Sequence, residues 1–113
     1  SLTLQKTVPL QEQILVLLKK AVMGQLPPKE GVKISRLAPE GYHLTYLHSF
    51  QGSSYGVHVF EVRNETDTDI EIQERVFYRP GDVALSFQER LLSKGQKTRL
   101  YVVGQVAFQV ADS

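Results

Sequence analysis

From residue 30 onward the chain reads with period two. Tyr42, Leu44 and Tyr46 alternate with His43, Thr45 and Leu47, and Val57 and Val59 alternate with His58, Phe60 and Val62. Ile70 and Ile72 restart the pattern in a strand that runs to Phe77-Tyr78, and Val83, Leu85 and Phe87 continue it. Residues 100–103 form the next strand, and Val106, Phe108 and Val110 alternate to the end. Val32, Ile34 and Arg36 predict a short edge strand before all of these, closed by Pro39-Glu40-Gly41. Such alternation places successive side chains on opposite faces of a pleated strand. Turn formers interrupt it at Gln51-Gly52-Ser53-Ser54, across residues 64–69, at Arg79-Pro80-Gly81-Asp82 and at Ser93-Lys94-Gly95-Gln96. Six or seven short strands, with turns about every 8–12 residues, predict a mainly β fold, an antiparallel β-sandwich. No helical period interrupts the strands, which excludes parallel βαβ units.

One amphipathic helix precedes the sandwich. Leu10, Ile14, Leu17, Leu18, Ala21 and Val22 recur at spacings of three and four and share a face. Thr7 is the expected N-cap, Pro9 suits the first turn, and Glu12 favours the positive end of the helix dipole. Lys19 and Lys20 suit the negative end, Gly24 the C-cap, and Pro27-Pro28 forbids continuation. These signals predict a helix over residues 9–23. The chain divides into residues 1–29, helix and proline-containing linker, and residues 30–113, the sandwich. A single amphipathic helix cannot bury its stripe alone, so it docks on its own sandwich or on a neighbour.

Composition narrows the class. A hydrophobic fraction of 42% in 113 residues supplies one core and too little chain for two. Net charge of +1 argues against disorder, and a balance of 13 basic to 12 acidic groups argues against nucleic acid as a direct partner. The longest apolar run, Ile14-Leu15-Val16-Leu17-Leu18, is far short of the about 20 residues of a spanning helix. Cysteine is absent, which removes disulfides, thiolate nucleophiles and thiolate metal sites. The chain starts at Ser1 with no basic segment before an apolar one, as expected of a mature product or an excised domain.

The residue constellations offer little chemistry. His43 and His48 are five apart, so an unbroken strand sends them to opposite faces, and His58 lies beyond a turn. No metal is expected. Asp67-Thr68-Asp69 starts like a calcium loop, but Ile72 and Tyr78 stand where the loop needs Gly and Glu. Asn64-Glu65-Thr66 matches a glycosylation acceptor, yet a turn favours Asn there anyway. No GxSxG elbow is present, and no Ser-His pair is suggested by spacing. Glu61, Glu71 and Glu74 read as a solvated strand face. Arg75, Tyr78, Arg79 and the basic turn at residues 94–99 are diluted by Glu71, Glu74, Asp82 and Glu89. No cofactor and no enzymatic activity are expected.

Binding by strand addition is what the pattern does support. An open sandwich has edges, and an edge pairs with an extended peptide through main-chain hydrogen bonds. Tyr55, Phe77 and Tyr78 lie near turns. Phe77 is assigned to the core, and Tyr55 and Tyr78 are the candidate partner-interface residues.

Four stretches carry a resemblance. They are Ser49-Phe50-Gln51-Gly52-Ser53-Ser54-Tyr55, then Phe60-Glu61-Val62-Arg63-Asn64-Glu65-Thr66-Asp67, then residues 74–86 with Arg79-Pro80-Gly81-Asp82 at their centre, and residues 92–103. In this order they resemble the C-terminal domain family of TraK, the outer-membrane core complex (secretin-like) subunit of F-type conjugative type IV secretion systems. The helix and Leu26-Pro27-Pro28 are similar to the family's segment joining its two domains. Residues after Gly104 match nothing in the family's pattern, and the family's N-terminal domain would need further chain. The resemblance implies a non-catalytic structural subunit in the periplasm, associated with the outer membrane. It implies as partners a small outer-membrane lipoprotein similar to TraV, an inner-membrane-anchored subunit similar to TraB, and neighbours in a homo-oligomeric ring. The alternative from another class is a periplasmic carbohydrate- or ligand-binding sandwich, which needs a concave face of clustered aromatics.

Overall fold

The computed structural model describes residues 9–52 and 54–105. Helix α1 spans Leu10–Val22. Its N-cap is Pro9, without a side-chain cap hydrogen bond, and the expected cap Thr7 lies outside the described residues. At the other end Gly24, at φ +68°, donates its N–H to Ala21 O, and Gln25 donates to Lys20 O. These two bonds make a Schellman closure, which needs the left-handed conformation that glycine adopts without steric cost.

Six antiparallel strands follow: β1 Tyr42–Gln51, β2 Tyr55–Asn64, β3 Ile70–Glu71, β4 Asp82–Phe87, β5 Leu91–Leu92 and β6 Lys97–Gln105. The main sheet has the order β1-β2-β6-β4, and β3 pairs with β5 in a two-stranded ribbon. Val57 and Val59 of β2 and Tyr101 and Val103 of β6 face one side, with Ala21 of α1 packed against them. Phe60, Val62, Leu100, Val102 and Leu85 face the other side, under Ile72, Phe77 and Leu92. The sheet is therefore the middle layer, with the helix on one face and the ribbon on the other.

Two expected strands take other forms. Residues 32–39 have no regular structure and pair with no strand. They form a strap instead. Pro28 makes an isolated bridge to Phe50, Ile34 packs on the ribbon-side core, and Arg36 forms an ion pair with Asp82 of β4. Burying Arg36 carries this segment across the face rather than along an edge. The strand from Ile70 ends after Glu71, and a 3-10 helix occupies Glu74–Phe77. Ile72 and Phe77 both enter the same core. Five positions apart on a continuous strand they would point to opposite faces, and the helical turn removes that conflict. β5 had no alternation to announce it, because two residues are too few to show a period. The expected strand at Val106, Phe108 and Val110 lies outside the described residues.

β1 carries a bulge. Tyr46 pairs with Phe60 and His48 with Val59, so Leu47 is an extra residue. Before it, Tyr42, Leu44 and Tyr46 face the ribbon; after it, Phe50 faces the helix. A second bulge at Val83 shifts β4, between Asp82 opposite Gly104 and Ala84 opposite Val103.

Candidate functional site

The sheet has two outer strands, β1 and β4, and hydrogen-bond alternation tells which backbone groups they turn outward. Gln88 N–H donates to Arg99 O at 2.9 Å. Ser86 opposite Tyr101 and Ala84 opposite Val103 are then the bonded pairs, and Leu85 and Phe87 direct their N–H and C=O away from the sheet. Among the described residues nothing pairs with them. The β1 edge is partly closed. Lys29 N–H donates to Ser49 O at 2.9 Å, and Tyr42 N–H donates to Pro39 O at 3.2 Å. Only its middle, at Leu44 and Tyr46, stays open among the described residues.

Beside β4 the helix leaves a groove of about 410 Å3. Leu15, Val16, Leu18 and Val22 of α1, Met23 at its C-cap and Ser86 of β4 line it, with Lys19 the one charged side chain among the described residues. Leu15 and Met23 are 64% and 63% exposed. The helix thus has two apolar stripes. Ile14, Leu17, Leu18 and Ala21 dock on the sheet, and Leu15, Val22 and Met23 face outward over the edge of β4. On the β1 edge His43 and Thr45 occupy the helix-side face and are exposed.

The ribbon side carries a buried polar cluster at the Asp82 end of β4. Tyr46 Oη and Ser49 Oγ lie 2.6 Å apart and are hydrogen-bonded, and Ser49 Oγ is hydrogen-bonded to His58 Nδ1. Burial, then the charge of Arg36, lowers the His58 pKa to about 4, against the opposing pull of Asp82. Arg36 holds both Asp82 oxygens and donates to Phe77 O at 2.6 Å. Arg79 N–H donates to Asp82 Oδ2 at 2.7 Å, and the Arg79 guanidinium donates to the carbonyls of Leu37, Val76 and Tyr78. The adjoining cavity, of about 300 Å3, has Ile34, Arg36, His58, Asp82 and Gly104 in its wall.

A Ser-His pair therefore exists where sequence spacing suggested none. The bulge at Leu47 creates it by turning Ser49 onto the face of His58, and no pattern in the residues announces that bulge. The pair does not have the form of a hydrolytic site. Ser49 is 1% exposed, and the Asp82 carboxylate is bound by Arg36 and Arg79 rather than by the imidazole. The same bulge corrects the expectation for the other histidines. His43 and His48 share the helix-side face, where His48 stacks edge-on with Phe50 at 5.0 Å. Burial, then Arg99, lowers the His48 pKa.

The remaining candidates fall as follows. Tyr55 begins β2 and packs partly buried on the helix side. Tyr78 is exposed just after the 3-10 helix on the ribbon layer, so the fold does not bring the two tyrosines together. Phe77 is core, edge-on to Tyr42 and Phe87. Asn64 is buried, with its amide donating to Thr68 O and Leu92 O and its carbonyl accepting from Thr66, which removes it as a glycan acceptor. Glu61 lies 3.7 Å from Lys97, and Glu74 is paired with Arg90, so these carboxylates each face a cation rather than one another. The sequence reading missed Leu15 and Met23, apolar residues off the expected stripe of α1, and it put Leu10 and Val22 on that stripe, whereas the structure exposes both because the helix turns only Ile14, Leu17, Leu18 and Ala21 onto the sheet.

No curated protein matches the chain. A family model described as the TraK C-terminal domain matches residues 4–104.

Proposed function

The chain belongs to the TraK C-terminal domain family, a structural family of conjugative DNA transfer, and from that premise we propose that it is a non-catalytic subunit of a type IV secretion outer-membrane core complex. In this reading it sits in the periplasm against the outer membrane. Its sheet edges take an extended segment of a small lipoprotein similar to TraV, and its flanks pack on ring neighbours and on a subunit similar to TraB. The observation that carries the reading is the open outer strand β4 with an apolar groove alongside it, which is a docking geometry rather than a reaction site. The carbohydrate-binding alternative asks for clustered exposed aromatics. Among the described residues Tyr78 is the one exposed aromatic, which favours docking.

The test is a titration of isotope-labelled protein with a peptide from the mature N-terminal region of a small lipoprotein similar to TraV. Amide shifts confined to one strand edge, in an otherwise unchanged spectrum, are the expected result. No shift at millimolar peptide overturns the lipoprotein reading.

A further inference from the structure

We propose that β4, and not β1, is the edge that accepts a partner, and that the partner segment is extended, apolar at alternate positions and acidic near Lys19. The inference rests on the strand-addition reading above and assigns its location and side-chain code.

The backbone sets the register. Leu85 and Phe87 each offer one N–H and one C=O outward, so an incoming strand bonds at these two residues. Side chains on the incoming strand then alternate between the two faces of the sheet. Those on the helix face lie alongside Ser86 and Ala84, where Leu15, Val22 and Met23 wall the groove. That face therefore selects apolar side chains two residues apart. Small side chains at Ser86 and Ala84 leave room for them. Lys19, the only charged side chain among the described residues lining the groove, favours a carboxylate on the occupant. The same lysine disfavours a second copy as the occupant. Antiparallel pairing of β4 with β4 would set Lys19 near Lys19 across the axis and would offer only Ser86 and Ala84 to an apolar groove. On the β1 edge the helix-side face carries the exposed polar residues His43 and Thr45, and the linker already caps its Phe50 end.

The probe is an acetylated heptapeptide alternating valine with threonine and carrying one aspartate, added to the full chain and followed by amide shifts and amide hydrogen exchange. The expected result is slowed exchange at Leu85 and Phe87, with shifts at Ser86, Leu15 and Val22. Leu15→Asp with Val22→Asp, both at exposed positions, should weaken binding at least about tenfold. Replacing the peptide's valines with serine should do the same. Leu91→Asp, exposed on the ribbon layer, should leave binding unchanged.

Three results overturn the proposal. The first is shifts at Leu44 and Tyr46 instead of β4, or no shift at millimolar peptide. The second is slow exchange of Leu85 and Phe87 in dilute protein without peptide, which means the chain covers its own edge. The third is slowing that depends on protein concentration alone, which means a second copy covers it. The lipoprotein titration separates the two claims. Binding of that segment at β1 retains the functional reading and removes this inference. Its failure to bind anywhere removes the reading, while the heptapeptide still decides the edge.

Discussion

Among single side chains, Arg36 and Asp82 hold the most consequential pair. Their side chains are 8% and 7% exposed, and they join the strap to β4. A buried ion pair contributes little net stability over an apolar substitute, but losing one partner strands the other charge. Asp82→Asn should therefore lower stability by about 3–5 kcal/mol in urea denaturation, whereas Arg36→Met with Asp82→Leu should recover most of the loss. His58 makes stability depend on pH. The folded protein holds it neutral, with its pKa lowered from 6.5 to about 4, so the unfolded chain binds more protons between those values. Its contribution is fully present above pH 6.5 and is lost as pH falls through that window, by at most about 1.4 kcal/mol per pH unit. Urea midpoints at about pH 5 and about pH 7.5 should differ in the native protein and differ less in His58→Gln, where the lowered His48 still contributes. None of these partnerships was legible in the chain. Arg36 and Asp82 are 46 positions apart, and charge alone does not say which of 12 acidic residues an arginine will meet.

Elements were read well where one period ran long enough. α1 and β2 lie where the apolar spacing put them, because each has enough residues to repeat its pattern, and β6 contains the apolar run read at residues 100–103 and extends it to Lys97 and Gln105. The elements that broke their period were hidden. Leu47 falls in the register of His43 and Thr45, where one apolar residue does not mark a break, yet as a bulge it reverses the facing of the rest of β1. Deleting Leu47 should return Phe50 to the ribbon side and Ser49 to the helix side. The expected outcome is a chain without cooperative unfolding by circular dichroism, since Phe50 packs with Val57 and Tyr101 only on the helix side. The hairpin between β1 and β2 depends on Gly52 for space rather than for an unusual torsion. A Cβ there would lie 2.7 Å from Tyr55 O and 2.9 Å from a Leu17 methyl. Gly52→Ala should cost about 1–3 kcal/mol and shift the Leu17 methyl resonances, because the backbone carbonyl cannot yield as a side chain can.

In the molecule as a whole, β2 and β6 are the centre. Val57, Val59 and Val62 of β2 and Leu100 and Val103 of β6 are fully buried, whereas α1 buries only Ala21 among its residues. Local opening follows buried contact, so native-state hydrogen exchange should be slowest in β2 and β6 and should release α1 before the sheet unfolds. Equal protection of α1 and β6 would show that the helix is part of the same cooperative unit. The candidate site follows from this arrangement, because a helix resting on the sheet beside β4 leaves one stripe docked and one facing the open edge. The sequence by itself determined the antiparallel β class, the preceding helix, the main turns and the family resemblance, since these rest on local periodicity and on residues near one another in the chain. Only the tertiary structure decided the reduced second layer, the strap across it, the Ser49-His58 contact and which edge stays open. Each of those depends on which distant residues share a buried surface, and burial is settled by packing the whole chain rather than by the order of neighbours along it.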